Sequence, residues 1–403
     1  MRLRTTEPYW LIKNGLISTY PSLQKNLSTD IVVVGAGITG ALVSHSLRAE
    51  GYRVVVLDEK DVAFGSTSAT TAMLQYEVDE TLVSLSKMIG LEGASFCYHQ
   101  GVKALDDLEQ LIKRERFDCG YEKKDSLYIS HSSSAGKDLE EEFKLRKAIG
   151  LPVRWLTASQ VKKIYGIKCY GAILSSKAAS IDAYKLAHCL FKKNSERKVN
   201  PLQIYDQTPI KKIIETSRSV KVVLENEKEV HCKHVVYCTG FNATKMIKEN
   251  IADLFDTYAV ISEENVNIPK KLCDTLIWDT NNPYIYMRST DDSRILIGGE
   301  DSSFRMGILR EALKRQRSKN LLKTLKDIMP GIDFQDDFSW SGTFAKTKDG
   351  LPYIGKCPEY KRSFFVLGFG GNGITYSVQA MKLLPQIILG EAPELSHYYR
   401  FGR

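Results

Sequence analysis

The alternation of apolar and polar positions predicts a chain that mixes buried parallel strands with amphipathic helices. The segments 31–34 and 54–57 are short, β-branched and apolar throughout, and a helix-forming segment at 41–50 lies between them. A strand, a helix and a second strand in this order form a βαβ unit, which places the two strands side by side in a parallel sheet. We therefore expect an α/β fold.

The rest of the chain predicts further helices and, mostly in its second half, further strands. Thr157 followed by Gln160 predicts a capping box that begins a short helix ending near Gly166. The other predicted helices are 94–116, 136–148 and 373–389. The predicted strands are 126–130, 220–224 with a partner after the turn at 225–226, 235–240, and a hairpin formed by 284–288 and 294–298.

The loop between the first strand and helix has the Gly-x-Gly-x-x-Gly spacing of a dinucleotide-binding unit, from Gly35 to Gly40. Gly35 permits a tight turn, Gly37 lets a pyrophosphate approach the backbone, and Gly40 lets the helix pack closely on the sheet. The helix N-terminus then faces the phosphates. Asp58 ends the second strand 18 positions after Gly40, where a carboxylate accepts both ribose hydroxyls and repels a 2′-phosphate. The motif alone does not distinguish NAD from FAD.

The composition excludes several classes of protein. Of 403 residues, 43% are hydrophobic and 26% are charged, which is ordinary for a globular protein. The net charge of +8 is spread along the chain, so a solvated basic surface is expected rather than a nucleic-acid site; attraction of anionic substrates or membrane surfaces is the alternative. The eight cysteines form no Cys-x-x-Cys pair, so a metal site is not expected, and a disulfide framework is not expected in a chain that can build a large core.

The N-terminus lacks the apolar region of a signal peptide. The longest apolar stretch begins at Ile31, is interrupted by glycine, and is too short to span a bilayer. A cytoplasmic protein without a transmembrane segment is therefore expected.

Three further segments favour a flavin over a nicotinamide. The hydroxyl-rich segment Gly65–Ser68 could hold a pyrophosphate a second time, although a plain surface loop is the alternative. The pair Thr239–Gly240 ends a strand and could close over the adenine. The segment 364–375 repeats the order of strand, glycine turn and helix start. A helix N-terminus there would stabilise the negative charge that hydride transfer leaves on a flavin, and a nicotinamide has no such need.

Together these segments resemble the D-amino-acid oxidase superfamily of FAD-dependent oxidoreductases, which includes glycine oxidase and sarcosine oxidase. The resemblance extends from about Tyr9 to Gly390. Besides the segments above it rests on Trp340-Ser341-Gly342 and on 347–355. The lead-in Pro8-Tyr9-Trp10 is similar to the branch that contains gamma-glutamylputrescine oxidoreductase and related amine oxidases.

The resemblance implies a Rossmann-like FAD-binding domain interleaved with an antiparallel-sheet α+β substrate domain. The FAD-binding domain would comprise 1–75, 178–244 and 341–403, and the substrate domain 76–177 and 245–340. The residues expected to bind FAD are Gly35, Ala36, Gly37, Ile38, Thr39, Gly40, Asp58, Glu59, Ser66, Thr67, Ser68, Ile210, Thr239, Gly240, Gly342, Gly370, Gly371, Asn372, Gly373, Ile374 and Thr375.

The chain departs from the family pattern at the substrate-binding segment. Amino-acid-oxidising members have an arginine after the Trp-x-Gly pattern that pairs with the substrate carboxylate. Phe344 stands at this place, which favours an amine substrate, unless Lys346 or Arg288 reaches the carboxylate instead. Sarcosine-oxidase-like members attach the flavin through a cysteine in this segment. Residues 339–355 contain none, so non-covalent FAD is expected, with Cys357 as the one neighbouring candidate.

The residues expected to contact substrate are Tyr286, Arg288, Trp340, Phe344 and Lys346, together with Gln75 and Tyr76. Core packing is the alternative for Tyr286 and Trp340, and a surface charge is the alternative for the basic residues, including Lys348.

The reaction implied is oxidation of a C–N bond in a small amine or amino acid, with oxygen or another electron acceptor. The alternatives are a dehydrogenase of a 2-hydroxy acid, and a flavin-binding subunit that needs a partner. A homo-oligomer is compatible with each of these functions.

Overall fold

The structure, a computed structural model, describes residues 4–5, 7–264, 268–304 and 307–403. The positions between these ranges fall inside the predicted domain segments 1–75 and 245–340 and lie outside the described residues, as do the side chains of 4, 5, 245, 307 and 308.

The described strands, in chain order, form three sheets. They are β1 (Arg4–Thr5), β2 (Leu27–Ser28), β3 (Ile31–Val34), β4 (Val54–Leu57), β5 (Met73–Gln75), β6 (Glu122–Ile129), β7 (Val153–Leu156), β8 (Ala172–Ser180), β9 (Gln203–Tyr205), β10 (Ile210–Glu215), β11 (Val220–Leu224), β12 (Glu229–Cys232), β13 (His234–Tyr237), β14 (Asp253–Ser262), β15 (Thr275–Asp279), β16 (Ile285–Ser289), β17 (Ile295–Ser303), β18 (Asp336–Lys346), β19 (Tyr353–Lys356) and β20 (Ser363–Leu367).

The described helices lie between and around these strands. They are α1 (Tyr9–Asn14), α2 (Ile38–Ala49), α3 (Ser66–Ala69), α4 (Leu82–Glu115), α5 (Ser133–Ala148), α6 (Ala158–Tyr165), α7 (Ala183–Ser195), α8 (Lys270–Cys273), α9 (Gly307–Ile328), α10 (Gly373–Ile388) and α11 (Glu394–Tyr399), with a 3₁₀ helix at Gly240–Met246.

The predicted βαβ unit is the centre of a six-stranded sheet with the order β19-β20-β13-β3-β4-β9. All pairs in this sheet are parallel except β19 with β20. The side chains of β3 and β4 are buried almost throughout, because helices cover one face of the sheet and a small four-stranded sheet, β10-β11-β12-β2, lies near the other. This arrangement explains why both strands are apolar at every position.

A ten-stranded, mainly antiparallel sheet forms the second layer. Its order is β1-β18-β14-β17-β16-β15-β6-β8-β5, with β7 paired to β8. The predicted hairpin is present as the antiparallel pair of β16 and β17. Helix α9 packs on one face of this sheet and forms a second apolar core with it. The predicted α/β fold class is confirmed.

Three predicted helices begin earlier in the structure than the sequence predicts, and the one predicted at 41–50 begins at Ile38. Helix α4 begins at Leu82 rather than at Ala94, and a kink at Gly90, whose φ is +80°, divides it. The helix predicted at 136–148 begins three residues earlier, at Ser133. The Thr157 capping box is present as predicted: Gln160 N–H donates to Thr157 Oγ1 at 3.3 Å, and Thr157 N–H donates to Gln160 Oε1 at 2.9 Å.

No helix in the described part of the chain is both long enough and apolar enough to cross a bilayer.

Candidate active site

A cavity of about 1190 Å³ lies between the six-stranded sheet and the ten-stranded sheet. The last residues of β3, β4 and β13 line one end, and residues of β14, β16, β17 and β18 line the other. In open α/β sheets, ligands bind outside the carboxyl ends of the strands. The volume exceeds the roughly 300–1,000 Å³ of an ordinary small-molecule pocket, which suits a long dinucleotide plus a substrate.

The glycine loop forms the cradle that the motif predicts. Gly35 has φ +103°, and a Cβ there would lie 2.6 Å from the Cys238 carbonyl oxygen. A Cβ at Gly37 would lie 3.0 Å from Thr67 Oγ1, and one at Gly40 only 1.9 Å from the Gly35 carbonyl oxygen. A side chain at any of these positions would fill the loop or push α2 away from it. The residues present therefore fit a pyrophosphate held against bare backbone.

Asp58 is fixed at the rim of this cradle by two backbone N–H groups. Ala36 N–H donates to one carboxylate oxygen at 2.6 Å, and Lys60 N–H donates to the other at 2.9 Å. Burial raises the pKa of Asp58 to about 6, and the two N–H donors oppose that rise. The carboxylate is thus oriented towards the cavity at the place where a ribose is expected.

The hydroxyl-rich segment packs against the start of α2. Ile38 N–H donates to Thr67 Oγ1 at 2.9 Å, so Thr67 joins α3 to the helix N-terminus. Ser66 and Thr67 line the cavity, whereas Ser68 is fully buried and donates to the Gly65 carbonyl oxygen at 2.9 Å.

The N-terminus of α10 faces the cavity, and the turn that leads into it binds the side-chain carboxylate of Asp79. Gly371 N–H donates to the two oxygens of the Asp79 carboxylate at 3.0 and 3.2 Å. Gly370 has φ +55°, and a Cβ there would lie 1.8 Å from an Asp79 oxygen. Burial raises the pKa of Asp79 to about 6, against the opposing hydrogen bond from Gly371. This helix end therefore attracts negative charge, as the sequence predicts for a flavin site.

Most of the predicted cofactor residues border the same cavity. Those that line it are Gly35, Gly37, Ile38, Thr39, Asp58, Glu59, Ser66, Thr67, Ile210, Thr239, Gly240, Gly342, Gly370, Gly371, Asn372, Gly373 and Ile374. The structure places Ala36, Gly40, Ser68 and Thr375 behind this wall. Thr375 is buried and donates to the Gln75 carbonyl oxygen at 3.0 Å.

Two residues of the predicted set Tyr286, Arg288, Trp340, Phe344 and Lys346 are not brought to the cavity wall. The Arg288 guanidinium is buried and donates to the carbonyl oxygens of Thr71, Ala72 and Ile181 at 3.0–3.2 Å. Burial lowers its pKa to about 10. Trp340 is 1% exposed, and its Nε1–H donates to the Ala69 carbonyl oxygen at 2.9 Å. Both side chains tie the segment after α3 to the ten-stranded sheet.

The other three predicted substrate residues do line the cavity. Phe344 stacks with Phe255 at a ring-centroid distance of 5.9 Å. Tyr286 places its hydroxyl 3.2 Å from Thr257 Oγ1. Lys346 Nζ lies 3.4 Å from Glu80 Oε1. Gln75 also lines the cavity and Tyr76 does not.

Asp79, Tyr284 and Asp301 border the same end of the cavity, although no sequence motif marks them as site residues. One signal for Asp301 was present. Adjacent glycines inside a predicted strand, Gly298 and Gly299, are typical of a bulge or a close approach of side chains. A Cβ at Gly298 would lie 2.4 Å from the Tyr286 ring.

Comparison with known proteins gives a consistent result. The family model described as DAO, FAD dependent oxidoreductase, matches residues 30–384. Gamma-glutamylputrescine oxidoreductase of Escherichia coli (strain K12) is 23% identical over 403 residues, which covers 96% of this chain and 90% of that protein. Glycine oxidase of Geobacillus kaustophilus (strain HTA426) is 25% identical over 354 residues, covering 86% and 89%. The crystal structure of glycine oxidase from Geobacillus kaustophilus has a TM-score of 0.78 at 20% identity, covering 94% of this chain and 100% of that chain.

Proposed function

The chain belongs to the DAO family of FAD-dependent oxidoreductases, and on this premise we propose that it oxidises a carbon–nitrogen bond of a small amine or amino acid. FAD is the cofactor of this family. When bound, it supplies the acceptor for the hydride that leaves the carbon next to the substrate nitrogen.

The observation that carries the proposal is the continuity of the cavity. One cavity joins the Gly35–Gly40 cradle to the N-terminus of α10 and then to Phe344 and Tyr286. The cradle and Asp58 would hold the adenosine and pyrophosphate. Gly342 and the α10 N-terminus would face the ring system, and the aromatic wall would hold the substrate.

The residues at the substrate end suit an amine. Phe344, Phe255 and Tyr286 present apolar ring surface and exclude water from the reacting carbon. No arginine or histidine of the described residues lines the cavity. An amine must be uncharged at its nitrogen before a hydride leaves the adjacent carbon, so the proton must pass to water or to a cavity carboxylate. The relatives named above are, by their names, enzymes of glycine and of gamma-glutamylputrescine.

The sheet composition supports the proposed division into domains. All strands of the six-stranded sheet lie within the segments proposed for the FAD-binding domain, 1–75, 178–244 and 341–403. Six of the ten strands of the second sheet lie within 76–177 and 245–340, whereas β8 and β18 each cross a proposed boundary, and β1 and β5 come from the N-terminal segment.

We propose that the FAD is bound without a covalent bond. Cys357 is 2% exposed and packs in the core behind the six-stranded sheet. Among the described cysteines only Cys238 lines the cavity, and it lies beside Gly35, at the end proposed for the adenosine.

The experiment is anaerobic reduction of the purified, flavin-containing protein by a panel of amines, amino acids and 2-hydroxy acids, followed by the visible absorbance of the flavin. Reduction by at least one amine or amino acid, and by no 2-hydroxy acid, is expected. Reduction by 2-hydroxy acids alone would replace C–N oxidation by the dehydrogenase alternative.

Two further measurements address the acceptor and the partner. Peroxide formed during aerobic turnover identifies oxygen as the acceptor, and turnover only with an added dye identifies another. A chain that is monomeric, contains FAD and is reduced by no compound in the panel would favour the flavin-binding subunit.

A further inference from the structure

Asp301 projects a carboxylate into the substrate end of the cavity, and no described residue forms an ion pair with it. Resting on the proposed function, we propose that Asp301 binds the ammonium group of the substrate. The substrate class is then a cationic alkylamine with no carboxylate beside its nitrogen, rather than an α-amino acid.

A β-bulge in β17 is what turns Asp301 towards the cavity. Gly299 pairs with Tyr258 of β14, whereas Ser302 pairs with Asp256, so Glu300 and Asp301 together face the single residue Thr257. Glu300 has φ +55°, a conformation that a residue other than glycine rarely adopts. Without the bulge the two side chains would exchange faces, so that Glu300 would face the cavity and Asp301 would face α9.

Neighbouring side chains of a strand point to opposite faces in any case, and the bulge decides which of the two acids faces the cavity. Glu300 accepts hydrogen bonds from Arg317 at 2.8 Å and from Asn320 at 3.0 Å, both on α9. Asp301 lines the cavity on the other face. Bulges of this kind are frequent beside active sites, where they re-aim a side chain. Glu300 has a cationic partner in Arg317, whereas no described residue forms an ion pair with Asp301.

The charges around Asp301 leave it uncompensated. The Asp79 carboxylate is held by Gly371 N–H, and Glu80 is paired with Lys346 at 3.4 Å. The Oδ1 atom of Asp301 is buried and has no hydrogen-bond partner within the described structure. Among the described residues, Lys346 is the cation that acts on Asp79, Glu80 and Asp301, so three carboxylates share one positive charge in the described part of the substrate end.

The surrounding side chains suit an ammonium group. Tyr284 and Tyr286 line the cavity with Asp301, and their rings lie 5.7 Å apart. Aromatic faces attract cations, and a carboxylate accepts the N–H donors of an ammonium group. An amino-acid carboxylate would instead meet the charge of Asp301 with no arginine on the described cavity wall to offset it.

The titration of Asp301 agrees with this geometry. Burial raises its pKa to about 7, with a smaller rise from the neighbouring Asp79 charge. A bound ammonium group would favour the ionised carboxylate and return the pKa towards its ordinary value. The groups whose charge or hydrogen bonding acts on Asp301 are Thr257, Asp79, Lys346 and Glu300, and the phenols that it acts on are Tyr284 and Tyr286.

The test compares two ligands of nearly the same shape and opposite charge, tert-butylammonium and pivalate, on the flavin-containing protein. Neither has a hydrogen on the carbon next to its polar group, so neither is oxidised and the measurement does not depend on turnover. Isothermal titration calorimetry should show binding of tert-butylammonium at least about tenfold tighter than binding of pivalate. Tighter binding of pivalate would overturn the proposal.

The matched variants are Asp301→Asn and Glu300→Gln, which remove neighbouring carboxylates on opposite faces of the sheet. Asp301→Asn should weaken tert-butylammonium binding by about 10- to 100-fold, the effect of losing one hydrogen-bonded charge. Glu300→Gln should change it by less than about twofold, because Glu300 faces α9 and its charge is offset by Arg317 at 2.8 Å. Equal binding by Asp301→Asn and the wild type would overturn the proposal.

One measurement needs no variant and separates this proposal from the proposed function. Wild-type kcat/KM is compared within pairs that differ only by a carboxylate, such as tyramine and tyrosine. Preference for the amine in each pair supports both proposals, and preference for the amino acid overturns the role of Asp301 while retaining C–N oxidation. If neither compound reduces the flavin but tert-butylammonium binds as expected, C–N oxidation fails and the ammonium site stands.

Discussion

Replacement of Gly40 by alanine tests the contact that holds the dinucleotide cradle together. The added Cβ would lie 1.9 Å from the Gly35 carbonyl oxygen and 3.1 Å from the Gly35 carbonyl carbon. Both neighbours are backbone, so no side chain can swing away. To restore an ordinary contact, α2 must retreat from the Gly35 turn by roughly 1.5 Å.

The size of the effect follows from that displacement. Overpacking of a close contact costs about 1–3 kcal/mol of folding free energy. The retreat also carries the N-terminal N–H groups of α2 away from the position of the pyrophosphate, and hydrogen bonds to charged groups weaken steeply with distance. We expect at least about a tenfold loss of FAD affinity, equivalent to ~1.4 kcal/mol, and a melting temperature lower by a few degrees.

The assay is fluorescence titration of the apoprotein with FAD, combined with thermal unfolding of the same sample. Gly331→Ala is the matched control, because a Cβ at Gly331 meets nothing within 4 Å. This control should retain both the FAD affinity and the melting temperature. A Gly40→Ala protein with the FAD affinity and stability of the wild type would refute the account of the cradle.

Four further predictions address the rest of the site. Phe344→Arg introduces a guanidinium into the cavity and should tighten pivalate binding by about tenfold or more in calorimetry; unchanged binding would contradict the position of this side chain. The affinity for tert-butylammonium should rise with pH through about 7 and then level off, because the ammonium group binds the ionised form of Asp301 and the raised pKa keeps this carboxyl protonated at lower pH. Calorimetry between pH 5.5 and 8.5 measures this dependence, and an affinity that does not change with pH would contradict it. Arg288→Met should lower the free energy of unfolding in urea by ~2 kcal/mol or more, because three buried carbonyl oxygens lose their donor, and it should keep the preference for amines. Lost amine binding at unchanged stability would instead place Arg288 in the substrate site. Acid precipitation should release the flavin into the supernatant, and flavin retained in the pellet would refute non-covalent binding.

The parts of the fold that the sequence predicts well depend on local signals. The β3–α2–β4 unit has its strand pattern, glycine spacing and terminal acid within about thirty residues of chain, so each signal supports the next. The Thr157 capping box is equally local. The predicted start of helix α4 at Ala94 is twelve residues late because the non-helical backbone at Gly90, with φ +80°, separates its first turns from the rest.

The substrate end was less predictable because its residues depend on long-range contacts. Arg288 is on a strand facing the interior, and only the fold shows that its guanidinium is used by carbonyl groups from the segment after α3 and from Ile181. In the same way, only the fold shows that the Trp340 indole N–H donates to the Ala69 carbonyl oxygen. The face on which Asp301 lies depends on a one-residue bulge, and the alternation of side chains along β17 predicts the opposite face.

Transfer of hydrogen from the carbon next to nitrogen to the flavin is the central claim, and one measurement tests it directly. The purified protein is mixed anaerobically in a stopped-flow instrument with its best amine substrate, either unlabelled or deuterated at the carbon next to nitrogen, and the loss of flavin absorbance is followed. The account predicts complete reduction in a single turnover that deuteration slows several-fold. Reduction at the same rate with the unlabelled and the deuterated substrate, or no reduction by any amine or amino acid, would contradict it.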